Sequence, residues 1–285
     1  MSGQLSERDF HRLATLVEGH CGIRMPAGKR LLVEGRLRKR VRSLQLADIP
    51  AYCRWVLDGD GFAAEFTHLI DAITTNKTDF FREPEHFRFL CERAVPDLLA
   101  RRDEAQPLLK LWSAACSCGA EAYTIAMVLA DLAARPGPAH RRFRASILGT
   151  DICGEVLAEA ARAIYPLEMV APVPPEMRRR YLLSARDPRR REVRIVPELR
   201  ARTRFARLNL MDGSYPVDRD VDVIFCRNVL IYFDRPTQRA VLDRLSRHLR
   251  PGGFLVLGHS ESMAGNELAL VPVAPTIFRR DAAGR

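Results

Sequence analysis

The chain has no paired Cys-x-x-Cys motif, and its seven cysteines are odd in number and scattered over positions 21, 53, 91, 116, 118, 153 and 226. That excludes a disulfide framework and a cysteine zinc site. Cys116 and Cys118 alone make no metal site and read as small buried residues. No uncharged apolar run approaches the roughly 18–20 residues needed to span a bilayer. Residues 1–10 are polar and do not read as a signal peptide, so a cytoplasmic location without membrane insertion is expected. Internal repeats and low-complexity tracts are missing too. So are the dinucleotide G-x-G-x-x-G and the phosphate-cradling G-x-x-x-x-G-K, which disfavours a phosphate-bearing cofactor.

What is present fits a globular chain. Its 285 residues are 47% hydrophobic and 28% charged, enough for one large domain or two. The net charge of +10 is concentrated. Residues 24–42 hold eight basic residues against Glu34, and residues 178–207 hold twelve arginines against three acids. Such patches attract anionic partners, although solvated helix and hairpin faces would show the same composition.

Residues 6–72 predict four helices. Ser6 and Asp9 resemble a capping box ahead of Phe10, Leu13 and Val17 at helical spacing. A basic helix starts at Pro26-Ala27-Gly28 and runs to about Ser43, another starts at Ile49-Pro50, and Phe62, Phe66, Ile70 and Ile73 mark the fourth. A charged linker from Thr74 to Glu83 leads into a helix carrying Phe87, Leu90 and Val95. From Leu108 strands alternate with helices: strands at 108–112, 143–151, 221–225 and 254–257, helices at 121–134, 155–164 and 235–249. That alternation means βαβ units and a mostly parallel sheet. Residues 177–207 break it and read as two or three antiparallel strands, with Pro188 at a turn. The expected boundaries are a helical domain at 1–75, a linker and connecting helix at 76–107, and an α/β domain at 108–285 with its insertion at about 177–207.

Three stretches carry the chemistry. After the first strand, Ser113, Ala114, Ala115, Ser117 and Gly119 are small enough for a ligand to approach the backbone, and Glu121 stands near a helix start. Asp151 ends the second strand, where an acid commonly binds ribose hydroxyls. It follows Gly119 by 32 residues, longer than usual because Arg135–Arg142 forms a proline-containing loop. Asp151 also reads as a cap for the next helix. Cys226, Arg227 and Asn228 follow the apolar strand Asp222–Phe225, at the end of the sheet where ligands bind. A nucleoside without a phosphate grip suits S-adenosylmethionine.

These motifs resemble those of the CheR-type chemotaxis receptor methyltransferases, which act on protein glutamate. The shared pieces are Thr75-Asn-Lys-Thr-Asp-Phe-Phe-Arg82, Trp112-Ser-Ala-Ala with Gly119-x-Glu121-x-Tyr123, Asp151-Ile, Phe225-Cys-Arg-Asn-Val229 with Ile231-Tyr-Phe-Asp234, Pro251-x-Gly253 and Gly258-His-Ser-Glu261. They cover about residues 6–280 in order. The resemblance implies a class I, Rossmann-like S-adenosylmethionine-dependent methyltransferase sheet, an N-terminal all-helical domain and a small inserted antiparallel β-subdomain. It also implies a cofactor site of Asn76, Thr78, Arg82, Glu121 (amino-acid tail), Asp151 (ribose), Asn209, Leu210 (adenine), Asn228 and Val229. Arg82 and Tyr232 fall beside the transferred methyl group, and the product would be S-adenosylhomocysteine. The chain departs from the family at Ala120 and Ala122, where an acid and a proline are common. Its β-subdomain loop, residues 184–191, also lacks the glycine of members that grip a receptor's C-terminal pentapeptide.

The implied partner is the cytoplasmic domain of a methyl-accepting receptor, met through the basic helix residues Arg36, Arg38, Lys39 and Arg42. A nucleic-acid methyltransferase would use the same charge. Such enzymes place Asn/Asp-Pro-Pro-Tyr/Phe after the fourth strand, where this chain has Arg227-Asn228-Val229-Leu230. The basic helix also lacks an interleaved aromatic platform, so no nucleic acid is expected.

Overall fold

The structure, a computed structural model, describes residues 3–74, 76–135, 143–187, 189–261 and 270–281. Thr75, Pro188 and most of the proline-containing loop at 135–142 lie outside the described residues. Helix starts follow capping chemistry. The Ser6 hydroxyl accepts from the Asp9 amide at 3.0 Å and opens α1 (Glu7–Cys21). The basic helix α2 (Arg30–Ser43) begins after a single 3₁₀ turn at Ala27–Lys29. Asp48 caps α3 (Ile49–Leu57) by accepting from Ala51 N at 2.8 Å, with Pro50 in the first turn. α4 (Phe62–Ile73) completes the bundle. Phe10, Leu13, Val17, Val33, Leu37, Tyr52, Leu69 and Ile70 form its core.

The connecting segment is one continuous rod: α5 (Pro84–Phe89), a π turn at Leu90–Ala94, and α6 (Val95–Ala100). Phe87, Leu90, Val95 and Leu98 bury themselves against the sheet rather than against the bundle. The sheet then builds in chain order. β1 (Leu108–Ala114) leads to α7 (Ala120–Ala134), and β2 (Arg144–Asp151) to α8 (Gly154–Arg162). A small unit follows: β3 (Ile164–Pro166), α9 (Pro175–Tyr181), β4 (Leu182–Ser184) and β5 (Glu192–Ile195). After α10 (Pro197–Arg200) come β6 (Thr203–Arg207), β7 (Val221–Cys226), α11 (Arg235–His248) and β8 (Leu249–Leu257). β9 (Leu270–Ala274) and β10 (Ile277–Arg280) end it.

The main sheet has the order β6-β2-β1-β7-β8-β10-β9. Its first five strands are parallel, and β10 pairs antiparallel with β8 and β9. The second sheet, β3-β5-β4, is antiparallel. Two details differ from the sequence reading. The small sheet begins at Ile164, because α8 ends at Arg162 and Ala163 turns left-handed at φ 55°. Residues 203–207 join the main sheet beside β2 instead of the insertion. The β9–β10 pair was not anticipated from the sequence. β7 is buried at all six positions, as a central parallel strand must be. The chain runs out to one side of β1 and back to β7 on the other, so a crevice opens beyond Ala114 and Cys226.

Hydrogen bonds tie the helical bundle to the α/β domain over that crevice. Asp71 accepts from Gly154 N at 3.1 Å, the Asn209 amide donates to His20 O at 2.8 Å, and Arg24 N donates to Tyr232 O at 3.1 Å.

Candidate functional site

A cavity of about 1160 Å³, open to solvent, lies between the strand ends and the bundle. All the residues expected at the site line it: Asn76, Thr78, Arg82, Glu121, Asp151, Asn209, Leu210, Asn228, Val229 and Tyr232. The bundle adds Ile23, Met25, Lys29 and Leu32, which no motif had pointed to.

The loop from β1 to α7 is shaped by sterics. Ala115 and Ser117 sit at φ 58° and 52°, a conformation that small side chains tolerate at modest cost when the surroundings fix it. Gly119 follows at φ 84°, and a Cβ there would lie 2.8 Å from the Ala160 side chain. This turn aims Ser117 N at Asp151, whose Oδ2 accepts it at 2.8 Å while Oδ1 accepts from Cys153 N at 3.0 Å. Burial pushes the Asp151 carboxyl above the usual range, against the pull of those amides. An ionised carboxylate offers about four lone-pair sites, so Asp151 can still accept from ligand hydroxyls. Asp151 does not cap α8, whose first amide, Gly154 N, is taken by Asp71 at 3.1 Å; it braces the turn before the helix by accepting from Cys153 N.

Glu121 accepts from the Ser113 hydroxyl at 2.6 Å and from Arg227 at 2.9 Å. Arg227, which the sequence placed at the ligand end of the sheet without a role, is the central group. Its side chain is 2% exposed, it also pairs with Glu83 at 3.1 Å, and it lies over the Phe87 ring. Burial would raise the Glu83 carboxyl, but Arg227 and the Asn228 amide hold it below the usual carboxylate range. Glu261 was quoted within a motif but given no role. Its carboxylate accepts from the amides of Asn228, Gly258, Val229 and Leu230 at 2.7–2.9 Å. Burial raises its pKa, and the amides counter this. Gly258 makes room for it, since a Cβ there would lie 2.9 Å from Glu261 Oε2 and 2.7 Å from Asn228 Nδ2. Asn228 is thereby held at φ 59° at the end of β7.

The remaining groups are looser. The Arg82 guanidinium is half-exposed, has no carboxylate partner among the described residues, and reaches only Lys77 O at 3.4 Å. Tyr232 is half-buried with Lys29 Nζ 5.3 Å from its ring centroid. Asn76 accepts from the Ser117 hydroxyl at 2.7 Å through its carbonyl. Asn209 folds its side chain onto Met211 N and His20 O. Glu83, His86 and His259 place ligand atoms within 4.8 Å of one another. Arg227 stands 3.1 Å from the same Glu83, so a divalent cation there would face strong repulsion. We read Glu83 and His86 as part of the polar contacts around Arg227.

The basic surfaces divide. Arg36 turns inward and donates to Ile73 O at 2.6 Å and Thr74 O at 2.8 Å, closing the end of α4. It is corrected from a docking residue to a capping one. Arg38 pairs with Glu34 at 2.7 Å but stays exposed, and Lys39 and Arg42 are exposed.

Residues 8–74 match the family model described as CheR methyltransferase, all-alpha domain, and residues 76–276 match CheR methyltransferase, SAM binding domain. The chain belongs to the CheR methyltransferase family. It is an S-adenosylmethionine-dependent methyltransferase, with the fold class read from its sequence. Chemotaxis protein methyltransferases of Borreliella burgdorferi and Escherichia coli are 33% and 38% identical to it. Those alignments cover 97% and 96% of this chain, and 95% and 91% of the relatives. Chemotaxis protein methyltransferase 2 of Pseudomonas aeruginosa is 34% identical over 96% of this chain and 93% of its own length. Among the described residues no helix is long and apolar enough to cross a membrane.

Proposed function

We propose that the chain methylates glutamate side chains of chemotaxis receptors, forming methyl esters. The observation that carries this is the pairing of a solvent-open cavity at the strand ends, lined by Asp151 and Glu121, with an arginine at its mouth that has no carboxylate partner among the described residues. The cradle fits S-adenosylmethionine. Asp151 keeps acceptor capacity for ribose hydroxyls, Leu208, Leu210 and Ile152 wall an apolar slot, Glu121 offers charge to an amino-acid tail, and the loop has no phosphate grip. When bound, S-adenosylmethionine supplies a methyl group activated by a sulfonium.

The chain's residues would then do little acid–base work. A glutamate carboxylate, with an ordinary pKa of about 4.3, is already the nucleophile at neutral pH. One of its oxygens bonds to the methyl carbon as the carbon–sulfur bond breaks, leaving an ester and a neutral thioether. No proton moves. Positioning is the main task. Arg82 holds the carboxylate as a bidentate donor, and the Tyr232 hydroxyl steadies its second oxygen. The exposed cations of α2, Arg38, Lys39 and Arg42, steer an acidic receptor helix towards the mouth. Nothing favours the nucleic-acid alternative. The test is incubation of the enzyme with radiolabelled S-adenosylmethionine and receptor-bearing membranes. Base-labile label on the receptor is the expected result; label in nucleic acid and none on receptor would refute the reading.

A further inference from the structure

Behind the cradle a chain of buried polar contacts runs across the molecule. Thr276, in the β9–β10 turn, lies 2.9 Å from His86 Nε2. His86 Nδ1 lies 3.4 Å from Glu83 Oε2, Glu83 pairs with Arg227 at 3.1 Å, and Arg227 pairs with Glu121 at 2.9 Å. His86 is 2% exposed, and its buried Nδ1, which makes no shorter polar contact, faces Glu83 Oε2, the same oxygen that lies 3.1 Å from the Arg227 guanidinium. Two facing acceptors would repel in such a setting. The Thr276 hydroxyl can donate to Nε2, which leaves the ring proton on Nδ1, directed at Glu83. Glu83 itself sits at φ 55°, a conformation a glutamate holds only when its surroundings fix it. The Asn228 amide, on a residue at φ 59°, grips its other oxygen at 3.2 Å.

We infer that His86 is a positioning residue for the cofactor cradle: its Nδ1–H fixes Glu83, and Glu83 fixes the Arg227 guanidinium that orients Glu121. This rests on the proposed placement of the cofactor's amino-acid tail at Glu121. Without the His86 donor, Glu83 can swing, Arg227 loses one of its two carboxylates, and it draws Glu121 out of register with the ligand. The Arg82 guanidinium takes no part in these contacts, and Arg227 meets that residue only at its backbone carbonyl, so binding should suffer more than turnover.

The experiment measures affinity for S-adenosylmethionine by calorimetry, together with KM and kcat on receptor membranes. His86→Leu should raise the dissociation constant and KM for S-adenosylmethionine about tenfold, the scale of one lost hydrogen bond to a charged group, with a smaller change in kcat at saturation. His86→Asn, whose amide nitrogen takes the place of Nδ1, should restore near-normal affinity. His86→Gln, which reaches only the Nε2 end, should behave as His86→Leu. Glu83→Gln, close in shape, should reproduce the loss and covers the case in which the histidine variants do not fold. Equal thermal destabilisation in all three histidine variants with unchanged affinity would overturn the inference. So would a zinc-induced rise in Tm of chelator-treated enzyme that His259→Ala abolishes, since that marks a cation site. Glu121→Ala separates the premise from the inference. Normal affinity in that variant refutes the cofactor placement and the inference with it; weakened affinity without the His86 pattern refutes the inference alone.

Discussion

The sheet-edge floor of the cavity and its mouth differ in how far their polar groups are already satisfied. On the floor, Glu261 takes four backbone amides, Asp151 takes two, and Arg227 is clamped between Glu83 and Glu121. At the mouth, Arg82 has one long contact to a carbonyl, and Lys29 touches only the face of Tyr232 among the contacts described. The floor is preorganised and rigid. The mouth keeps donors in reserve for something that arrives with negative charge. The difference matches a two-substrate site in which one ligand enters a fixed cradle and the other is gripped on contact.

Breaking the floor should cost stability first. Glu261→Ala removes the acceptor of four amides, of which those of Leu230 and Gly258 are buried and those of Asn228 and Val229 part-buried. At about 1–3 kcal/mol for each donor left buried, less what entering water recovers, the loss should be ~3 kcal/mol or more. Denaturant unfolding checks this; an unchanged midpoint would mean that the loop is held by other contacts.

Breaking the mouth should leave stability alone and strike turnover. Arg82→Ala should keep wild-type Tm, because the guanidinium has no buried partner to abandon. Its rate on receptor should fall on the order of 10²–10³, the scale for removing one donor to a reacting oxygen. Tyr232→Phe should cost less, as it removes a single neutral donor. Wild-type turnover in folded Arg82→Ala enzyme would remove arginine from the mechanism.

Acid should weaken the floor and spare the mouth. Burial first, and then Arg227, depress the His86 pKa from its ordinary 6.5 to about 4. The folded protein therefore binds this proton less readily than the unfolded chain. The stability this group contributes is complete above pH 6.5 and is lost as pH falls from there towards 4. The full effect is ~3 kcal/mol, since each pKa unit is worth about 1.4 kcal/mol. His86→Leu should flatten that part of the stability profile; an identical slope in the variant would assign it to other groups.

Within the floor, Asp151 is a partial test. Asp151→Ala should weaken S-adenosylmethionine binding by about 1–3 kcal/mol through lost charge-assisted hydrogen bonds. It should also loosen the β1–α7 turn, since Ser117 N loses its acceptor. Unchanged calorimetric affinity would leave Asp151 as a brace for the two turns only.

The same contrast marks how far the sequence could be read. The four bundle helices, the parallel strands and the loop after β1 follow local rules: capping residues, periodicity, small residues at a turn. Arg227 and Glu261 stood within motifs but received no role, because their roles depend on partners distant in sequence. Arg227 meets Glu83 and Glu121, and Glu261 reaches back to the amides of 228–230. The bundle side of the cavity was hidden for the same reason; Lys29 and Leu32 look like ordinary helix positions until the fold brings them over the strand ends. β6 was misplaced because alternating arginines and apolar residues fit an edge strand of either sheet.

The smallest effect should come from the outer surface of α2, where charge alone misled about Arg36. That residue serves the fold, so only the exposed cations can steer a partner. Reversing Lys39 and Arg42 to Glu should raise KM for receptor membranes several-fold at low salt and leave S-adenosylmethionine affinity and Tm as they were. The effect should fade as salt rises, because exposed charges are screened over about 8–10 Å at 0.1–0.15 M. Reversal of Arg36 should instead lower Tm, since its donors close the α4 carbonyls. If the Lys39 and Arg42 reversal leaves KM unchanged at low salt, α2 is a structural helix with a solvated face, and receptor recognition lies entirely at the mouth.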